Sequence, residues 1–167
     1  IFYWAVDLKT KPSTEQRTEF CIVNAQVDTN KLKSTVKENL KEYDILEVNT
    51  HVLSSKSARF NYLYSAIDDS ADVFILPSSL LIDKEFEKYN STFNVLNNVS
   101  DSSKAYTYNG YTYGYKIYDK ESKSGYGLDF ITYSEDDYYM FLSVNSKHQE
   151  LTATNVATFY NVIESLG

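Results

Sequence analysis

Three short apolar runs, EFCIVNAQV (19–27), DILEVNTHVL (44–53) and ADVFILP (71–77), alternate with stretches whose apolar residues recur at helical spacing. That alternation constrains the fold more than any other feature. A strand apolar on both faces needs cover on both faces, which is the habit of strands in a parallel sheet. Between the first two runs, DTNKLKSTVKENLKEY places Leu32, Val36, Leu40 and Tyr43 on one helical stripe, with Asp28 or Thr29 available as N-cap. Between the second and third, SSKSARFNYLYSAIDDS does the same with Phe60, Leu63, Tyr64 and Ile67. After the third, SSLLIDKEFEKYNSTFNVL predicts another helix, capped by Ser78 or Ser79. The order β-α-β-α-β predicts a parallel sheet joined by right-handed crossovers.

The polar segment NNVSDSSK (97–104) ends this pattern, and a period of two begins. AYTYNGYTYGYKIY (105–118) centres on Asn109-Gly110, a pair that tolerates the positive φ of a type I′ hairpin turn. In the simplest register Tyr108 opposes Tyr111, Tyr106 opposes Tyr113, and Tyr106, Tyr108, Tyr111, Tyr113 and Tyr115 share one face. Their rings amount to as much as about 1,000 Å² of surface, more than the few hundred Å² a monomer leaves bare. A helix of the same chain, a protein partner or second subunit, or a stacked sugar-like ligand would each cover that face. YGLDFITY and DYYMFLSV read as further strands about the acidic turn SEDD. TATNVATFYNVIESLG reads as a final amphipathic helix with Val156, Phe159, Tyr160, Ile163 and Leu166 inward. The expected fold class is therefore α/β: a three-layer open sheet with a parallel first half and an antiparallel hairpin addition. Residues 1–18 read as a leader or juxtamembrane segment and 19–167 as one domain.

Chemistry is sparse. A net charge of −7 repels nucleic-acid backbones and anionic lipid, so neither is an expected partner. The single cysteine, Cys21, permits no internal disulfide and sits in an apolar run as a core residue would. His51 reads as a hydrogen-bonded structural residue and His148 as an exposed loop residue. No metalloprotease, nucleophile-elbow or phosphate-loop motif accompanies them. The clusters DDSAD (68–72) and SEDD (134–137) lack the spacing and glycine of a calcium loop. No catalytic residue, metal site or cofactor is implied, and a hydrolase would have to assemble its residues only in space. No run of about 18 apolar residues exists. IFYWAVDL at the start suits either the outer end of a membrane tether or a short edge strand.

ADVFILPSSLL, YTYNGYTYGYKIY and LSVNSKHQELTATNVATFYNVIESL occur in an order that resembles the extracytoplasmic solute-binding proteins of ABC transporters. The resemblance spans roughly residues 19–166 and implies a non-enzymatic protein outside the bacterial cytoplasm, tethered at the cell surface. Members of that family close two hinged lobes on a ligand, whereas this chain has material for one. A single lobe exposes half a cleft, which turns the expectation towards a protein partner or self-association. Small-molecule binding of a sugar, amino acid or peptide is the alternative. Parallel sheets bind polar ligands at the carboxyl ends of their strands, beside helix N-termini. That rule selects Gln26, Asp28 and Thr29 after the first strand, Ser54 and Ser55 after the second, and Ser78 and Ser79 after the third. Each is equally suited to capping a helix.

Overall fold

In the computed structural model, which describes residues 12–97, 99, 101–148, 163–164 and 166–167, the three apolar runs lie side by side and point the same way. β1 (Arg17–Val23) is central, with β3 (Glu47–Leu53) on one side and β4 (Val73–Pro77) on the other. Both neighbours pair with it in parallel. β1 begins two residues before the expected run, because Arg17 and Thr18 pair with Glu47 and Val48. It stops at Val23 because Asn24 takes a left-handed φ of 59°. The chain then forms β2 (Gln26–Val27), which leaves the main sheet altogether.

Helix α1 (Thr29–Asn39) is capped by Asp28, whose carboxylate accepts from Lys31 N at 3.1 Å. Its Leu32 and Val36 are fully buried. Helix α2 (Phe60–Asp68) buries Phe60 and Tyr64, but Leu63 of the expected stripe is exposed. The two helices cover opposite faces, since β1 sends Phe20 and Ile22 to the α1 core and Cys21 and Val23 to the α2 core. β4 divides likewise, Val73 and Ile75 against Phe74 and Leu76.

The third expected helix is broken into Ser78–Leu80, the single turn α3 (Asp83–Phe86) and Asn90–Thr92. Tertiary contacts override its periodicity. Asp136 takes the amide of Ser79, Phe93 bridges Ser143, and Asn94 N and Leu96 N donate to the carbonyls of Leu142 and Thr112. Asn90-Ser91-Thr92 is in any case a run of weak helix formers.

The second half extends the sheet antiparallel to β4. β5 (Ala105–Tyr108) and β6 (Tyr111–Asp119) form the hairpin about Asn109-Gly110, where φ is 48° and 80°. β7 (Ser124–Gly125) pairs with the end of β6. β9 (Tyr138–Leu142) lies between β4 and β6, giving the order β3-β1-β4-β9-β6-β5. YGLDFITY contributes only β8 (Ile131–Thr132), and its partner is β2 rather than β9. The expected strand pair about SEDD is therefore replaced by a strap that crosses to β2. Most of the final helix lies outside the described residues, as do residues 1–11. Ile163 and Leu166 are fully buried in the α1-side core.

Candidate functional site

The carboxyl ends of β1 and β4 form the point where strand order reverses, and open α/β sheets hold ligands there. In this protein the chain itself occupies that position. Tyr138, opposite Pro77 at the end of β4, is fully buried and donates its hydroxyl to the carbonyl of Asn24 at the end of β1. Ser134 Oγ stands 2.8 Å from the same hydroxyl. Tyr133 packs against Tyr138 with ring centroids 4.8 Å apart and stacks on Tyr118 at 4.3 Å. Burial pushes the phenol of Tyr138 above its ordinary range, so it stays protonated and remains a donor.

Asn24 is the hub of this end. Its left-handed backbone turns the main-chain N–H to Leu53 O at 2.9 Å. Its side-chain amide bonds Ser55 twice, accepting from the backbone N at 2.8 Å and donating to Oγ at 2.7 Å. Ser55 is thus committed to joining the β1 and β3 ends. On the β4 side the acidic turn folds down over the two serines. Ser78 Oγ donates to Asp136, Ser79 N donates to the same carboxylate at 3.0 Å, and Ser78 N donates to Asp137 O at 2.8 Å. Desolvation raises the pKa of Asp136, but the bonds from Ser78 and Ser79 outweigh it and leave the group below its usual value. A carboxylate from the chain stands where a ligand's anionic group would bind.

The expected ligand residues therefore divide. Gln26 and Ser54 line an open hollow of about 420 Å³ with Asn24, Thr132 and Ser134. Asp28 caps α1 and lies in an adjoining hollow with Asp129. Thr29 is the first, half-buried residue of α1. Ser78 and Ser79 lie apart from these, under Asp136.

The tyrosines divide too. Tyr108 opposes Tyr111 as expected, but Tyr106 opposes Gly114 and leaves Tyr113 as an unpaired extra residue. That bulge reverses the alternation, so Tyr115 is buried on the α1 side while Tyr106, Tyr108 and Tyr113 stay on the α2 side. The five do not share a face. Phe86 sits among the three, with centroid distances of 4.9, 5.2 and 5.3 Å to Tyr106, Tyr108 and Tyr113. Tyr106 donates to Leu81 O at 2.6 Å and Tyr108 to Glu87 Oε1 at 2.8 Å. The chain's own 81–93 segment covers this face, and only Tyr111 is largely exposed, at 58%.

At the opposite, amino end of the strands lies a buried polar cluster that sequence reasoning missed. Asp72 accepts from Glu19 N at 2.8 Å, from Thr18 Oγ1 at 3.3 Å and from Ser146 Oγ. His148 is buried, against the expectation of an exposed loop position. Its backbone N donates to Ser146 Oγ at 3.0 Å and its Nε2 bonds the Arg17 carbonyl. Burial raises the pKa of Asp72 despite these donors. Ser146 thus donates its hydroxyl to the carboxylate, while the His148 imidazole meets a main-chain oxygen. His51 was expected to be hydrogen-bonded; its Nε2 makes no hydrogen bond among the described residues and lies 4.0 Å from Glu19 Oε1. Cys21 is a core thiol, pushed up to about 12 by burial. Among the described residues no group of three or more His, Cys, Asp or Glu side chains is placed to hold a metal. No protein-family model and no curated protein matches the chain.

Proposed function

We propose that this protein is a non-enzymatic binding module, built like one lobe of an extracytoplasmic solute-binding protein, that works through a protein partner or a second copy of itself. The parallel β3-β1-β4 core with helices on both faces and an antiparallel extension is consistent with that kinship. So is the order of the sequence phrases that suggested it. One observation carries the choice of a partner over a solute: the crevice between the β1 and β4 ends is filled by Tyr138, whose hydroxyl holds the Asn24 carbonyl. A ligand would have to displace a buried ring and a satisfied hydrogen bond to enter. The amino-end Ser146 and His148 geometry favours a structural lock over hydrolysis.

A second reading keeps a small polar solute in the 420 Å³ hollow, where Asn24, Gln26, Ser54 and Ser134 present amides and hydroxyls. A thermal-shift screen with sugars, amino acids and short peptides separates the two. A ligand at a hundred times its Kd stabilises by about 2.7 kcal/mol, which raises the melting temperature by several degrees. The partner reading expects no such rise with any solute. One reproducible rise that is lost in Gln26→Ala and Ser54→Ala would replace it with the solute reading.

A further inference from the structure

The sheet ends on one side at β3, and nothing among the described residues pairs with its outer edge. Proteins usually blunt such an edge with charged side chains, a proline, a bulge or a short strand. β3 has only Glu47, at its first position. It runs seven residues, EVNTHVL, in unbroken register with β1.

The direction of its backbone groups follows from one bond. Asn24 N donates to Leu53 O, so Leu53 faces β1, and by alternation His51 and Asn49 face it too. Val48, Thr50 and Val52 therefore turn N–H and C=O outward. Their side chains share the α1 face, where Val48 is buried and Val52, near the other end of the strand, is 41% exposed.

We infer that the β3 edge is a self-association surface, on which a second copy of this chain adds its own β3 antiparallel about a two-fold axis at Thr50. This rests on the partner reading above and names its surface and occupant. In that register Thr50 exchanges both main-chain bonds with Thr50 of the second copy. Val48 exchanges them with Val52 of the second copy, and the pairing covers the exposed valine with an apolar neighbour. The charges select this orientation. Glu42, Asp44 and Glu47 lie at or before the start of β3, with one cation, Lys41, among them and paired to Glu38, so that end is net acidic; Lys56 and Arg59 follow its other end. Antiparallel addition sets the acidic end of each copy beside the basic end of the other. Parallel addition would set like beside like.

Sedimentation velocity over a range of micromolar to submillimolar concentrations tests the inference. The wild type should form a reversible dimer. Val52→Lys, which places a charge at an exposed edge position, should weaken it roughly tenfold or more. Thr50→Pro, which removes an outward N–H that bonds nothing among the described residues, should abolish it with the far-UV spectrum unchanged. A third variant keeps the test open should either of these misfold. Thr50→Cys brings two thiols together across the axis, where Cα atoms are about 5.5 Å apart, and should form a covalent dimer on mild oxidation. The native Cys21 is buried and will not. A wild type that stays monomeric throughout, with no cross-link in Thr50→Cys, overturns the inference. A dimer indifferent to Val52→Lys and Thr50→Pro also overturns it, but leaves the partner reading of the function standing.

Discussion

Phe86 gathers five aromatic rings: three tyrosines meet it edge to face, and Phe93 and Phe141 lie against it. Each well-placed aromatic pair adds about 0.5–1.5 kcal/mol beyond the area it buries. Phe86→Ala should therefore cost about 3–5 kcal/mol of stability, measured as a shift in the urea midpoint at constant slope. Tyr111→Ser, at an exposed ring, should change that midpoint little. Asp72 makes a prediction of opposite sign to ordinary acid denaturation. Its folded pKa is raised by burial, so the folded state holds its proton more tightly than the unfolded state does. As pH falls from neutral through that raised value to the ordinary 3.8, wild type should gain stability relative to Asp72→Asn. Urea midpoints of both proteins at pH 7 and at steps towards pH 4 check this. A wild-type-minus-variant difference that stays constant, or that moves against the wild type as pH falls, contradicts the assignment.

At the scale of elements, what could be read from the sequence was what local chemistry decides. The three parallel strands, α1 with its Asp28 cap, and the Asn109-Gly110 turn all follow from periodicity, capping and positive φ. Where a distant contact decides, the reading departs from the structure. The helix expected after Pro77 yields to Phe86 and Phe93, whose rings pack on side chains from β5, β6 and β9. The tyrosine face fails at one residue, the bulge at Tyr113, and no alternation rule reveals a bulge in advance. A signal was nonetheless present in Gly114, because a Cβ there would stand 2.6 Å from the Phe141 ring. Glycine inside a strand pattern marks a bulge or a close approach. Gly114→Ala should accordingly destabilise by about 1–3 kcal/mol, through overpacking rather than lost flexibility. The same hindsight applies to the site. Gln26 and Ser54 were legible as strand-end residues, whereas Asn24, Tyr138 and Asp136 were not, because they come together from separate parts of the chain.

For the whole molecule, the decisive feature is a strand-end crevice filled by the chain that forms it. The strap from Tyr126 to Asp137 runs over the ends of β1 and β4, tied by β2–β8 pairing, by Asp28 N to Phe130 O, and by Asp136 over Ser78 and Ser79. Tyr138→Phe, which leaves the Asn24 carbonyl without this donor, should cost about 1–3 kcal/mol. Among the described residues, the outer edge of β3 is the longest strand edge left without a partner. Native-state hydrogen exchange tests this account most directly, read at the amides that the strap protects: Asp28, Ser78 and Ser79. If the strap is a fixed part of the fold, these amides exchange as slowly as those of β1 and β4 and lose protection only in global unfolding. If they exchange rapidly while β1 and β4 stay protected, the strap opens on its own, the crevice is available to solutes, and the central claim is wrong.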